Sequence, residues 1–169
     1  MQVAVFHPGT QHSWQTAYAL QQLELLEWYA TSIFYRRDTF PYLLERIPGP
    51  IGARLEHEFS RFRHDGLDPR LVHTAGLAEW LERIAARAGQ RRLTQRLDAW
   101  GNERFARGIA RRIASPAPFA LWGYNGSSGI AFEQGKAAGR TLILDRTNGD
   151  FRLYNRLMDQ VAESHGDWF

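Results

Sequence analysis

Short apolar runs alternate with helix-period segments along nearly the whole chain, and this alternation limits the fold more than any other feature. Val3–Phe6, Trp28–Tyr35, Leu71–Thr74, Phe119–Tyr124 and Thr141–Asp145 are the strand candidates, rich in β-branched, aromatic or aliphatic residues. Helical spacing follows most of them. After Ser13, read as an N-cap, Trp14, Ala17, Tyr18 and Leu25 share one stripe, and Ile130–Ala138 and Phe151–Ser164 read as later helices, the last capped by Asp150. Strand–helix alternation is the pattern of βαβ units. The expectation is an α/β, doubly wound, mainly parallel Rossmann-like sheet of about five strands with helices on both faces, forming one domain over residues 1–169. TLILD (Thr141–Asp145) is expected to be a buried strand.

Two segments depart from simple alternation. Residues 38–70 carry Pro41, Pro48, Pro50 and Pro69, with helix-like pieces at Tyr42–Arg46 and Ala53–Phe62, and are read as an irregular helical insertion. The expectation places the Pro48-Gly49-Pro50 triplet outside any regular element. Glu79–Ile113 is expected to form two helices broken near Trp100-Gly101-Asn102.

Composition narrows the chemistry. The chain has no cysteine, which removes disulfides, thiolate nucleophiles and cysteine-zinc sites and fits a reducing, cytoplasmic setting. No apolar run approaches the roughly 18 residues of a membrane span, and Val3–Phe6 is too short for a signal-peptide core. The sequence holds no G-x-G-x-x-G after the first strand, no P-loop, no H-E-x-x-H and no G-x-S-x-G, which disfavours ordinary NAD-dependent dehydrogenases, P-loop NTPases, zincins and α/β-hydrolases. His7 and His12 lack an evident third metal ligand, so no metal site is expected.

In a parallel sheet, ligands bind beyond the carboxyl ends of the strands, near the point where strand order reverses. Three polar, glycine-containing turns leave strands at that edge: His7–Ser13, Tyr124–Gly129 and Arg146–Gly149. Gly9, Thr10, Gln11, Tyr124, Asn125, Ser127, Arg146 and Thr147 are the candidate substrate-binding residues. His12, beside a helix start, is the candidate acceptor-hydroxyl contact or general base, while His7 is read as structural, holding the turn with Pro8.

Charge is unevenly spread. The formal total is +3, yet nine arginines face two acids between Arg83 and Arg112. Arg83, Arg87 and Arg91, then Arg104, Arg107 and Arg111, recur at helical spacing and define one or two basic faces suited to an anionic membrane surface. Leu93, Leu97 and Trp100, followed by Phe105, Ile109 and Ile113, are expected on the opposite, apolar side. No helix-turn-helix, zinc finger or RNP motif accompanies the charge, so nucleic acid is not an expected partner.

The stretches VAVFHPGTQHSWQTAYALQ and FALWGYNGSSGIAFEQGKAAGRTLILDRTNGD resemble the N-terminal half of family-4-type bacterial glycosyltransferases of the GT-B fold. The resemblance implies an acceptor-binding half that faces a donor-binding C-terminal half across a cleft. It implies transfer of a hexosyl group from a nucleotide sugar, as co-substrate and without a further cofactor, to a glycan or lipid-linked acceptor. It places Gly9, Thr10 and Gln11 toward the donor phosphates and His12 beside the acceptor. The glutamate pair that grips the donor in that family has no counterpart here. The expectation is therefore an N-terminal half whose donor-binding mate lies outside this chain, cytoplasmic or peripheral at the inner membrane face. Two other readings compete with it. One is a stand-alone, non-catalytic Rossmann-like interaction module. The other is a small complete hydrolase using Asp145 or His12, for which no nucleophile with an evident base is found.

Overall fold

A computed structural model describes residues 1–9, 12–74, 91–146 and 149–166, with the backbone alone over 91–99. The elements in chain order are β1 (Gln2–His7), α1 (Ser13–Gln22), β2 (Leu26–Thr31), a 3₁₀ helix (Tyr42–Arg46) and α2 (Pro50–Ser60). They continue with β3 (Val72–Thr74), α3 (Arg91–Ile113), β4 (Phe119–Tyr124), α4 (Gly129–Ala137), β5 (Thr141–Asp145) and α5 (Phe151–Ser164). The five strands form one all-parallel sheet in the order β3-β2-β1-β4-β5. This is the doubly wound, Rossmann-like architecture expected from the alternation.

β1 is the central strand, and its side chains explain why. Ala4, Val5 and Phe6 are fully buried, because neighbours flank the strand and helices cover both faces. Ala4 and Phe6 point into a core shared with Phe105, Ile109 and Ile113 of α3 and Ala131 of α4. Val3 and Val5 point the other way, toward Ala17 of α1, Tyr29 and Leu67. A strand buried on both faces has no polar side to present, and VAVF has none.

The insertion builds a small core of its own from Ile33, Tyr42, Phe59 and Phe62. Pro50 begins α2 rather than lying outside it, with Gly49 as its N-cap at φ +94°. Proline is tolerated at the first helical position because its missing N–H would have no intrahelical partner there. Gly52 then lets α2 pass against the preceding chain, since a Cβ there would meet the Ile47 carbonyl oxygen at 1.8 Å.

Other boundaries shift for local reasons. β2 ends at Thr31, and Ser32–Tyr35 leave the sheet toward the insertion core. Ser13 is the first residue of α1 and not its cap; His12 holds that position, its carbonyl accepting from Gln15 and Thr16. α3 runs unbroken through Trp100-Gly101-Asn102 for 23 residues. A glycine inside a helix costs only about 1 kcal/mol, less than the burial of Phe105, Ile109 and Ile113 stabilises. Trp100 is 43% exposed, so it does not belong to the apolar side on which it was expected. Residues 79–90 of the expected helical stretch lie outside the described residues.

TLILD forms a strand but not a buried one. Leu142 is 36% and Leu144 49% exposed; among the described residues β5 is an edge strand paired with β4 alone. Beyond it, α5 carries a strong apolar stripe (Phe151, Tyr154, Leu157, Val161) and has no buried residue. Asp150 caps it as expected, accepting from the Arg152 N–H at 2.8 Å.

The end of α3 is fastened by one side chain. The Arg140 guanidinium donates to the carbonyls of Ile113, Ser115 and Ala117 and lies 4.0 Å from the Phe119 ring centroid. These acceptors are helix-terminal or turn carbonyls without intrahelical partners. Replacing Arg140 with Met should destabilise the fold by about 2 kcal/mol in urea titration, as loss of charge-assisted hydrogen bonds predicts. An unchanged midpoint would show that water replaces the guanidinium without penalty.

Candidate functional site

Strand order reverses at β1: the chain moves to β2 on one side and later to β4 on the other. The turns after β1 and β4 therefore lead to helices on opposite faces at the carboxyl edge, the place where doubly wound sheets bind their ligands. The parallel sheet also brings the turn after β5 to this edge.

His7 ends β1 and is 6% exposed. Its Nδ1 accepts the Gly9 N–H at 2.9 Å, and its ring stands edge-on to Tyr124 at 5.3 Å between centroids. Burial lowers its pKa from the ordinary 6.5. A ring nitrogen engaged as an acceptor has no place for a proton, so the neutral tautomer carries its hydrogen on Nε2. The expected structural role of His7 matches these contacts: the imidazole closes the turn that carries Gly9. The Thr31 hydroxyl and the Ser32 N–H tie the same turn to the end of β2, donating to the carbonyls of Gly9 and Pro8.

Tyr124 ends β4 and is 1% exposed. Its hydroxyl donates to Thr16 Oγ1 of α1 at 2.7 Å, and burial pushes its pKa up to about 12. Ser13 and Tyr29 share a second buried hydrogen bond of 2.9 Å beneath α1. Tyr124 is thus a buried brace between β4 and α1, with its hydroxyl engaged by Thr16. The turn after β4 is held by the Ser128 hydroxyl on the Tyr124 carbonyl and by the Asn125 N–H on the Asp145 carbonyl, with Gly126 at φ +90°. Ser127 Oγ is shielded from solvent without a hydrogen-bond partner among the described residues.

The remaining candidates separate into three groups. His12 is exposed at the N-terminus of α1, where it stands clear of the buried network. Asn125 and Arg146 come together in a groove of about 830 Å³, whose other wall is the apolar stripe of α5, including Phe151, Tyr154 and Leu157. That size and its mixed lining lie within the range of small-molecule sites. Thr10, Gln11 and Thr147 lie outside the described residues, as do Arg83 and Arg87, and the Arg91 side chain is not described. Arg104, Arg107 and Arg111 are exposed on α3, away from this groove's lining.

Among the described residues, no three His, Cys, Asp or Glu side chains gather in a way that could hold a metal ion. Nor is any described helix long and apolar enough to cross a membrane. The stripe of α5 as a groove wall was not anticipated, although its spacing was visible in FRLYNRLMDQV. The Thr16 and Tyr29 hydroxyls that brace α1 were missed for want of any sequence signal for contacts so distant along the chain. A second polar cluster was missed as well: in the insertion, the Tyr35 hydroxyl donates to Glu45 and the Arg63 guanidinium stacks over the Tyr35 ring at 4.6 Å. Compared with models of known protein families, with characterised proteins and with solved structures, the chain shows no match.

His64 and His73 resemble His7 in one respect, since burial lowers the pKa of all three below 6.5. The unfolded chain then binds more protons than the folded one as pH falls through the window just below 6.5. Stability should be full above that value and decline on acidification, with His7→Gln flattening the decline. Urea midpoints measured from pH 7.5 to 5 check this; a flat profile in the wild type contradicts it.

Proposed function

We propose that this chain is the acceptor-side half of a nucleotide-sugar-dependent glycosyltransferase, one that transfers a hexosyl group to a glycan or lipid-linked acceptor in the cytoplasm. The observation that carries the reading is the pairing of two polar turns across the reversal of strand order, beside a groove with one polar and one aromatic wall. Such a groove suits a sugar, whose hydroxyls meet Asn125 and Arg146 while its C–H faces lie against Phe151 and Tyr154. The resemblance of the β1 and β4 segments to GT-B glycosyltransferases points the same way.

In this scheme each residue has a limited task. His12 accepts or orients the acceptor hydroxyl proton, and the turn after β1, with Gly9, Thr10 and Gln11, meets the leaving diphosphate. His7 and Tyr124 hold that turn still, which is the precondition for orienting two reactants. The donor is a co-substrate, and most of its contacts belong to a second body. The exposed leucines of β5 and the stripe of α5 support such a body, because an apolar face of this kind marks an interaction surface.

One observation favours a second reading. His7 and Tyr124, buried titratable groups at the ends of β1 and β4, are engaged with the framework, as a non-catalytic binding module would allow.

Amide shifts followed during titration with UDP-glucose and with GDP-mannose test the proposal. Weak, unsaturated shifts confined to Gly9 and Gly126–Ser128 are expected, because most donor contacts lie elsewhere. Tight stoichiometric binding would contradict the two-half reading, and unmoved resonances at both turns would remove them from the mechanism.

A further inference from the structure

α3 carries more positive charge than the whole molecule. Over Arg91–Ile113 there are seven arginines against Asp98 and Glu103, a balance of +5, whereas the chain totals +3. The rest of the protein therefore sums to −2.

Geometry sharpens the asymmetry. Phe105, Ile109 and Ile113 are at most 3% exposed and turn one side of α3 into the sheet core. Trp100, Arg104, Arg107 and Arg111 follow one another at intervals of four, three and four, and so share the opposite side. All four are exposed. The Arg104 guanidinium lies 5.4 Å from the Trp100 ring centroid, and Arg107 is paired with Glu103 at 2.6 Å. Because α3 does not break at Gly101, this stripe is one continuous ridge of about 16 Å.

From this arrangement we infer that α3 docks the protein on an anionic lipid bilayer. Guanidinium groups in a row match a plane of phosphate headgroups, each able to take two hydrogen bonds. A tryptophan among them suits the interface, where its ring is apolar and its N–H stays wet. The apolar side of α3 is already spent on the core, so contact is shallow and chiefly electrostatic. The four side chains are exposed and do not line the groove described above, which fits a flat surface better than the grooves in which single-stranded nucleic acids stack their bases. This inference stands apart from the glycosyl-transfer reading and does not depend on it.

The test is co-sedimentation of the whole chain with vesicles of phosphatidylcholine, with and without phosphatidylglycerol. Binding is expected only to the anionic vesicles, and it should vanish in about 1 M salt, where the Debye length is about 3 Å. Removing three arginines in R104Q/R107Q/R111Q should lower the partition coefficient roughly a hundredfold, at about fivefold for each. The thermal midpoint of the triple variant should match the wild type, since all three side chains are exposed. The blue shift of tryptophan emission on vesicle addition should disappear in W100F. Equal binding to neutral vesicles, equal binding by the triple variant, or tighter binding to an oligonucleotide than to anionic vesicles at the same salt would each overturn the inference.

Discussion

Parallel pairing of β1 on both its edges is the constraint from which the rest of this structure follows. Parallel neighbours cannot be joined by a tight hairpin, so each connection must climb across a face of the sheet. α1 crosses one face between β1 and β2, and α3 lies against the other before β4. The same requirement gathers the carboxyl ends of β1, β4 and β5 at one rim. The gathering of these turns is a consequence of topology before it is a matter of any side chain.

Two buried hydrogen bonds then give the rim its rigidity. Tyr124 to Thr16 joins β4 to α1, and Ser13 to Tyr29 joins α1 to β2, so three elements around the reversal point are locked together. A buried hydroxyl without a partner is costly, which makes each pair hard to open. His7 adds a third tie through Gly9. The candidate groups His12, Asn125 and Arg146 stand at the margin of this frame and not within it. The frame is rigid while the contacting groups remain solvated, an arrangement suited to holding a polar substrate.

Much of the fold was legible because local and global signals agree. FALWGY is bounded by a proline-rich stop and an Asn-Gly turn, and β4 takes those limits. Where they disagreed, packing decided. Trp100-Gly101-Asn102 reads as a break, yet the buried residues after it carry α3 through. Ser13 has the chemistry of a cap, but the distant Tyr29 hydroxyl takes its side chain. TLILD has the composition of a central strand, and nothing within five residues says which strands will lie beside it. In the site, polar turns announced themselves by glycine and asparagine. The inward fate of Tyr124 depended on a threonine 108 positions away.

The central claim is that the turns after β1 and β4 form one ligand crevice. Photo-crosslinking of the whole chain with a diazirine-bearing UDP-sugar, followed by peptide mapping, tests it most directly. The account predicts label on both the His7–Ser13 and the Tyr124–Gly129 peptides, reduced by a large excess of unmodified UDP-sugar. Competable label confined to the insertion around Tyr35, Glu45 and Arg63, with both turns clean, would contradict it.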